Sequence, residues 1–335
     1  MSGFGYTVLG FGSHPSREPA DTAYDLSAVK AIHETAGNNA VGINFNAGAA
    51  NSAWMTGVQV IGTDMYISNR GNNNSFDSGD VFFSKLAISS TGNGAVDRQN
   101  ASGLSINSCD GFALDSTATK MIIADFGANT VRSGTLSQSG SSLTVTLNGS
   151  PLPAGGGIRY ARWNNDGSIY YFGYQNTSPV NGTSKIKQYQ AQQPYVVQNS
   201  DQLVDSIDLA HDIISDLIFN SDGTKMYLSQ HTGYVHEYAL SSAYEIGSGA
   251  LTTTLDLTSF YGNEGTSPWR PSGNSGTTPW ITGISWNDDG SKLYASSLWG
   301  MTKQSKVSGT VNPSTVTGEG GTRTNTMPVI EFRVQ

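Results

Sequence analysis

Residues 214–240 read ISDLIFNSDGTKMYLSQHTGYVHEYAL, three short runs separated by two turns. The first run (Leu217, Ile218, Phe219) is apolar, the second (Met226, Tyr227, Leu228) lies between the turns, and the third spans 235–240. Asp222-Gly223 suits a tight hairpin, because the Asp side chain accepts nearby backbone hydrogen bonds and Gly tolerates positive φ. β-Branched and aromatic residues at period two around it predict three antiparallel strands in one meander. Such a meander exposes its edges and cannot bury both faces alone, so copies of it are expected to stack.

The copies are in the chain. Lys225-Met226-Tyr227-Leu228-Ser229 recurs as Lys292-Leu293-Tyr294-Ala295-Ser296, as Lys120-Met121-Ile122-Ile123-Ala124, as Asp64-Met65-Tyr66-Ile67-Ser68 and, more loosely, as Ser168-Ile169-Tyr170-Tyr171-Phe172. The Asp-Gly turn recurs at Asp166-Gly167 and Asp289-Gly290, with worn versions at 116–119 and 61–63. Five units of unequal spacing in 335 residues favour one repeat domain over two or three separate ones. Forty glycines, 13% charged residues and no sustained apolar stripe at helical spacing give an all-β composition.

The two ends complete each other. Residues 21–30 (DTAYDLSAVK) match the outermost strand of a unit, as at 252–259, but nothing upstream supplies its partners. The last unit has strands at 282–286, 292–297 and 328–334 and then stops. Pairing the N-terminal strand with that unit closes a ring and removes the edges of an open array. Residues 1–20 do not match the repeat. Glycine alternating with Phe4, Tyr6 and Phe11 describes an anchoring arm that docks on something else.

This pattern resembles a β-propeller built from four-stranded blades with F-x-x-DGTK-x-Y-type repeats. The resemblance implies an all-β, five-bladed ring with blades at about 54–99, 100–150, 151–210, 211–258 and 280–335, plus the closing strand 21–30. A sixth blade would have to lie in 32–53, but that segment matches 260–279 as a Gly/Asn/Ser loop leading to Trp-x-Thr-Gly, at Trp54 and again at Trp280. Trp163, Phe219 and Trp286 share a repeat position and are expected to pack between blades.

A net charge of −8 with 18 scattered basic residues disfavours a nucleic-acid surface. The single cysteine, Cys109, excludes an internal disulfide and a multi-cysteine zinc site, and is expected to be a small buried residue. No signal peptide is recognisable at residues 1–6 and no apolar run reaches membrane-spanning length, so no membrane insertion is expected. The triplets at Asn100, Asn148 and Asn181 are then coincidences of composition. No phosphate loop, dinucleotide fingerprint or Gly-x-Ser-x-Gly occurs, and no cofactor is expected. Asn287-Asp288-Asp289-Gly290 lacks the terminal glutamate of a calcium loop, and His231 and His236 flank one hairpin as surface residues, so no metal is expected.

Features outside the repeat are the better ligand candidates. Trp269 with Arg270 precedes the fifth inner strand, and Trp299 opens an insertion at 300–326. An exposed indole offers a flat face to a sugar ring. Five-bladed propellers that resemble arabinanases and invertases cut glycosidic bonds with two facing carboxyl groups. Asp110 and Asp216 at inner-strand starts, with Glu34 and Glu264 in the long loops, are the acids such an enzyme would use. Because no acid pair stands out, the expectation is a non-enzymatic protein.

The arm, the missing catalytic set and the Asn/Ser/Thr/Gly-rich surface resemble bacteriophage virion proteins of the fibre, tail or capsid-decoration kind. That resemblance implies synthesis in a host cytoplasm, a place in the virion, contacts with other subunits through residues 1–20, and loops offered to a neighbouring subunit or a host-surface glycan. A glycan-cleaving propeller and a cytoplasmic interaction scaffold are the alternatives.

Overall fold

The structure is a computed structural model that describes residues 23–30, 42–43, 55–69, 83–87, 96–175, 184–211, 213–257, 269–271, 281–297, 301–303, 306–307, 310–311 and 329–334. Its building unit starts from one turn. Asn220 Oδ1 accepts Lys225 N at 2.8 Å and Asp222 Oδ1 accepts Thr224 N at 2.9 Å, so two side chains bind the backbone of the turn they sit in. Asn164 with Asp166, and Asn287 with Asp289, repeat both bonds. Blade two does the same with Asp115, which accepts Thr119 N and Lys120 N at 2.7 Å.

These turns join inner to second strands in four of five antiparallel blades, and residues 62–63 do so in blade one. Blade one is Met55–Ile61, Asp64–Asn69, Phe83–Ala87 and Val96–Ser102, and blade two is Cys109–Leu114, Lys120–Asp125, Thr130–Ser139 and Ser142–Pro153. Blade three is Gly157–Trp163, Ile169–Gln175, Ser184–Gln190 and Gln202–Leu209, and blade four is Ile214–Phe219, Lys225–Gln230, Tyr234–Leu240 and Gly249–Asp256. Blade five is Ile281–Trp286, Lys292–Ser297 and Val329–Val334, with its outer strand supplied by the N-terminal segment. Val29–Lys30 pairs with Val334 and Arg333, and Gly42–Ile43 pairs with Ile330 and Val329. The closing strand is thus split into two segments that pair along one edge. One contact has no counterpart in the repeat: the outer strands of blades one and two pair parallel, Ala101 with Leu143.

A second device locks blades three, four and five each to the one before it. Tyr195, Tyr244 and Tyr24, all at positive φ, sit at the corner between third and outer strands. Each amide bonds the carbonyl of its blade's turn glycine, at Gly167, Gly223 and Gly290. Two residues later, Val197 N donates to Ser133 Oγ (3.0 Å), Ile246 N to Gln188 Oε1 (3.1 Å) and Leu26 N to Glu237 Oε2 (2.9 Å), each on the third strand of the preceding blade. Tyr24 repeats the geometry of Tyr244, so the N-terminal segment completes blade five as the native corner of that blade.

Apolar residues fill the wedges between blades. Tyr160, Tyr171 and Ile186 of blade three pack with Leu217, Met226 and Leu228 of blade four. Ile218, Tyr227 and Val235 pack with Ile281, Ile284, Trp286 and Phe332 of blade five and with Leu26. Toward the axis the inner strands come close enough that a Cβ on Gly283 would stand 2.8 Å from Val58 N.

The turn glycines allow a direct test. Gly223 has φ +74, and a Cβ there would enter the Tyr244 ring, whereas Gly62 has φ +58 and open space around it. Gly62→Ala is expected to cost about 1–2 kcal/mol for the left-handed backbone alone. Gly223→Ala is expected to cost more, because it also displaces Tyr244. Equal losses in urea unfolding would mean that the tyrosine corner contributes nothing.

Candidate functional site

The strand order gives the ring two unlike faces. The lower face holds the turns between inner and second strands and the corners between third and outer strands. The upper face holds the connections into each inner strand and those between second and third strands. The three longest connections, 70–82, 258–280 and 298–328, all leave from and return to the upper face. Two of them are joined, since Trp269–Pro271 pairs with Met301–Lys303, Arg270 opposite Thr302.

Below those connections lies a polar collar. Every inner strand carries a bulge near its upper end, centred on Thr56, Asp110, Arg159, Ser215 and Thr282. A bulge leaves one residue out of the ladder and re-aims it. Here the residue is polar in all five blades, and four of them take part in three bonds that bridge blades. Thr56 Oγ1 donates to Cys109 O (2.5 Å), Ser215 Oγ to Ile281 O (2.6 Å), and Arg159 Nη1 to Asp110 Oδ2 (3.2 Å). Arg159 also bonds Gln175 and lies over the Phe126 ring.

Deeper in the ring Asp216 is 2% exposed and accepts four hydrogen bonds, from Arg162 Nε (3.0 Å) and Nη2 (2.5 Å), Ile284 N (3.0 Å) and Leu217 N (2.9 Å). Burial pushes its carboxyl up, and the Arg162 guanidinium opposes that push. The Tyr160 hydroxyl is buried beside it with no partner, and burial raises its pKa strongly. The acids expected from the sequence are therefore held by different arginines, Asp110 by Arg159 and Asp216 by Arg162.

The lower mouth opens into a cavity of about 440 Å³, lined by the tails of the inner strands and their turns in all five blades, and by Tyr24. Trp163, Phe219 and Trp286 line it, with Val60 and Leu114 at the equivalent positions of blades one and two. The two indoles are also packed into blade junctions, Trp163 edge-on to Tyr170 and Tyr195, Trp286 edge-on to Tyr24 and Tyr227. Three polar side chains of the wall bond the backbone of a neighbouring blade. Gln59 donates to and accepts from the Leu114 backbone, Ser285 Oγ accepts Val60 N, and Asp288 Oδ2 accepts Gly62 N.

Of the other candidates, Glu34, Glu264, Trp299, Phe4, Tyr6 and Phe11 lie outside the described residues, as do Trp54 and Trp280. Trp269 and Arg270 are described as backbone in the small sheet on the upper face. Cys109 is buried, and its thiol is pushed up to about 12. Among the described residues no group of three or more His, Cys, Asp or Glu could hold a metal, and no helix is long and apolar enough to cross a membrane.

His236 stacks on His211, with ring centroids 3.9 Å apart, at the upper rim between blades three and four. His236 Nδ1 pairs with Thr254 Oγ1 and Nε2 with Gln230 Oε1, and His211 Nε2 pairs with Tyr238 OH. Burial, reinforced by His211, lowers the His236 pKa from 6.5 to about 4. The unfolded chain therefore binds this proton first, so stability is complete above pH 6.5 and falls as the pH drops toward 4. His236→Gln is expected to flatten the melting temperature across that window, and an unchanged profile would exclude the pair as its origin.

No family model and no curated protein matches the chain. Solved structures match at low identity. A functionally unknown protein from Desulfotomaculum acetoxidans is 14% identical with a TM-score of 0.42, over 82% of this chain and 74% of that one. A protein provisionally named a 6-phosphogluconolactonase, from Bacteroides uniformis, is 13% identical with a TM-score of 0.37, over 82% and 72%. The periplasmic gluconolactonase of Pseudomonas aeruginosa is 14% identical with a TM-score of 0.39, over 77% and 70%. The expectation of a non-enzymatic protein is corrected here, since proteins named as lactonases are among the matches. Its ground, the lack of two facing acids, bears on glycosidic cleavage alone.

Proposed function

We propose that this propeller is an attachment module of a bacteriophage virion, binding a host-surface glycan on its upper face and held to neighbouring subunits by residues 1–20. The observation that carries the reading is the opposition of the two faces. The three longest connections spring from the upper face, and the N-terminal segment joins the ring at Tyr24, on the lower face. An anchor on one side leaves the other side free to meet a surface. Long connections on a rigid ring are where binding residues concentrate. Trp269 and Trp299 are the stacking residues for a sugar ring, and Arg270 is the donor to its hydroxyls or to an acidic substituent.

The test is a glycan array probed with the full chain, with Trp269→Ala and with Trp299→Ala. Binding of one glycan class, weakened at least tenfold by either substitution with the melting temperature unchanged, is the expected result. Binding that survives both substitutions would move the site off these connections, and no binding to any glycan would end the glycan reading. Deleting residues 1–20 is expected to abolish incorporation into particles while leaving glycan binding intact, and unchanged incorporation would end the anchor reading.

A further inference from the structure

We infer that the cavity at the lower mouth of the ring is the docking socket of the chain's own N-terminal arm, which lays aromatic side chains of Phe4, Tyr6 or Phe11 into it. This deepens the anchor reading and rests on it: the free chain stores in its own ring the arm that assembly hands to a neighbour.

Three observations point to this occupant. The wall mixes apolar and polar groups; several of its polar side chains are already bonded within the ring, while the Trp163 and Trp286 indole N–H groups have no partner. Trp163, Phe219 and Trp286 line it, while Gln59 is spent on Leu114 and Arg162 on Asp216. Asn164, Asn220 and Asn287 are likewise spent on their own turns. A wall of this kind favours an apolar guest, because a polar one would lose its hydration and find few partners.

The second observation is the tether. Tyr24 itself lines the cavity, so the arm is attached at the rim. At about 3.3 Å per residue, the stretch from Phe11 to Tyr24 spans up to about 43 Å, enough for any aromatic residue of the arm to reach the socket. A tether this short holds its guest at an effective concentration of about a millimolar. That favours the chain's own arm over the arm of another copy.

Charge is the third. Asp115 and Asp288 stand in the wall, and Asp166, Asp222 and Asp289 lie on the same face, their carboxyls held below the usual range by hydrogen bonds from Ser168, Thr224 and Ser291. Residues 1–17 contain no acidic side chain and carry His14 and Arg17. An acidic mouth accepts such a segment and repels a carboxylate-bearing one.

The experiment uses a fluorescent peptide of residues 1–20 and the chain lacking those residues, its fold checked by circular dichroism. Saturable binding is expected, at least tenfold weaker for a peptide with Phe4, Tyr6 and Phe11 replaced by serine, and at least tenfold weaker to the full chain, whose socket is occupied. A bulky maleimide on Ser221→Cys, in the cavity wall, is expected to abolish binding, and one on Ser206→Cys, on an outer strand, to leave it unchanged. Cys109 is too deeply buried to compete for the label.

No binding to the truncated chain, or binding indifferent to the Ser221 adduct, would overturn the inference. Oligomers of the full chain that vanish on truncation would overturn docking within one chain in favour of exchange between copies. Truncation that abolishes particle incorporation while the peptide does not bind would remove the socket and leave the anchor standing. Peptide binding with unchanged incorporation would do the reverse.

Discussion

Arg162→Met is expected to destabilise the ring by about 3–5 kcal/mol, the cost typical of stranding one partner of a buried ion pair. Asp216 sits between blades three, four and five, and Arg162 supplies two of its four hydrogen bonds. Without the guanidinium the carboxylate keeps only two backbone donors and no countercharge. Burial, which already raises its pKa, then acts unopposed. An acid with a raised folded pKa binds its proton more tightly when folded, so the deficit is expected to be largest at neutral pH and to shrink as the pH falls toward 4. Adding Asp216→Asn should recover much of the loss, because the amide oxygen still accepts Ile284 N and carries no charge. Urea unfolding of the three variants at pH 7 and pH 4.5 reads all of this. A single variant that unfolds like the parent would show that the pair contributes nothing net.

The closure of the ring carries the other large effect. Deleting residues 1–20 is expected to cost only the docking of the arm, about 1.4 kcal/mol for each tenfold of occupancy, whereas deleting residues 1–30 removes Tyr24, Leu26 and the Val29–Lys30 strand together. Leu26 is 1% exposed in the wedge between blades four and five, and its amide is bonded by Glu237. Truncating such a side chain, as in Leu26→Ala, costs about 2–5 kcal/mol by itself. Loss of the whole segment also uncovers the edge of Val329–Val334, which invites pairing with another chain. The longer deletion is expected to give association in gel filtration and a melting transition lowered by well over 10 °C or lost. A monomer that melts like the parent would mean that the ring does not depend on its closing strand.

The ring was legible in the sequence because the Asp-Gly turns and the runs after them obey local rules that survive five repeats. Its closure was legible as well, since residues 21–30 read as an outer strand without upstream partners, although Tyr24-Asp25-Leu26 forms the corner and only Val29–Lys30 of that stretch pairs. The corner itself went unread. Tyr-Glu-Ile at 244–246 and Tyr-Val-Val at 195–197 carry the same signal, but a tyrosine at positive φ is a choice that only the underlying glycine explains. The parallel pairing of Ala101 with Leu143 has no sequence pattern, because it depends on how far two blades lean together. Asp110 and Asp216 were recognised as inner-strand acids, while their arginine partners were not. Arg159 and Arg162 lie 49 and 54 positions away from them, and only the ring brings the pairs together. Trp163, Phe219 and Trp286 were read as packing residues, and they pack, but the cavity they share is a property of five strand ends meeting.

Each of the five junctions is cross-linked by a polar side chain, two of them by an arginine–aspartate pair. Gln59 grips Leu114 between blades one and two, Arg159 meets Asp110 between two and three, and Arg162 meets Asp216 between three and four. Ser215 reaches Ile281 between four and five, and Ser285 receives Val60 between five and one. Five similar blades made in sequence could collapse in the wrong order, with one skipped or one borrowed from another chain, as repeat proteins are prone to do. An arrangement that sets a blade other than the fourth beside blade three would face Arg162 with a neighbour other than Asp216 and leave a buried charge unmatched. The cross-links therefore act as an address for each blade, and the route to the closed ring is narrowed before the N-terminal segment seals it.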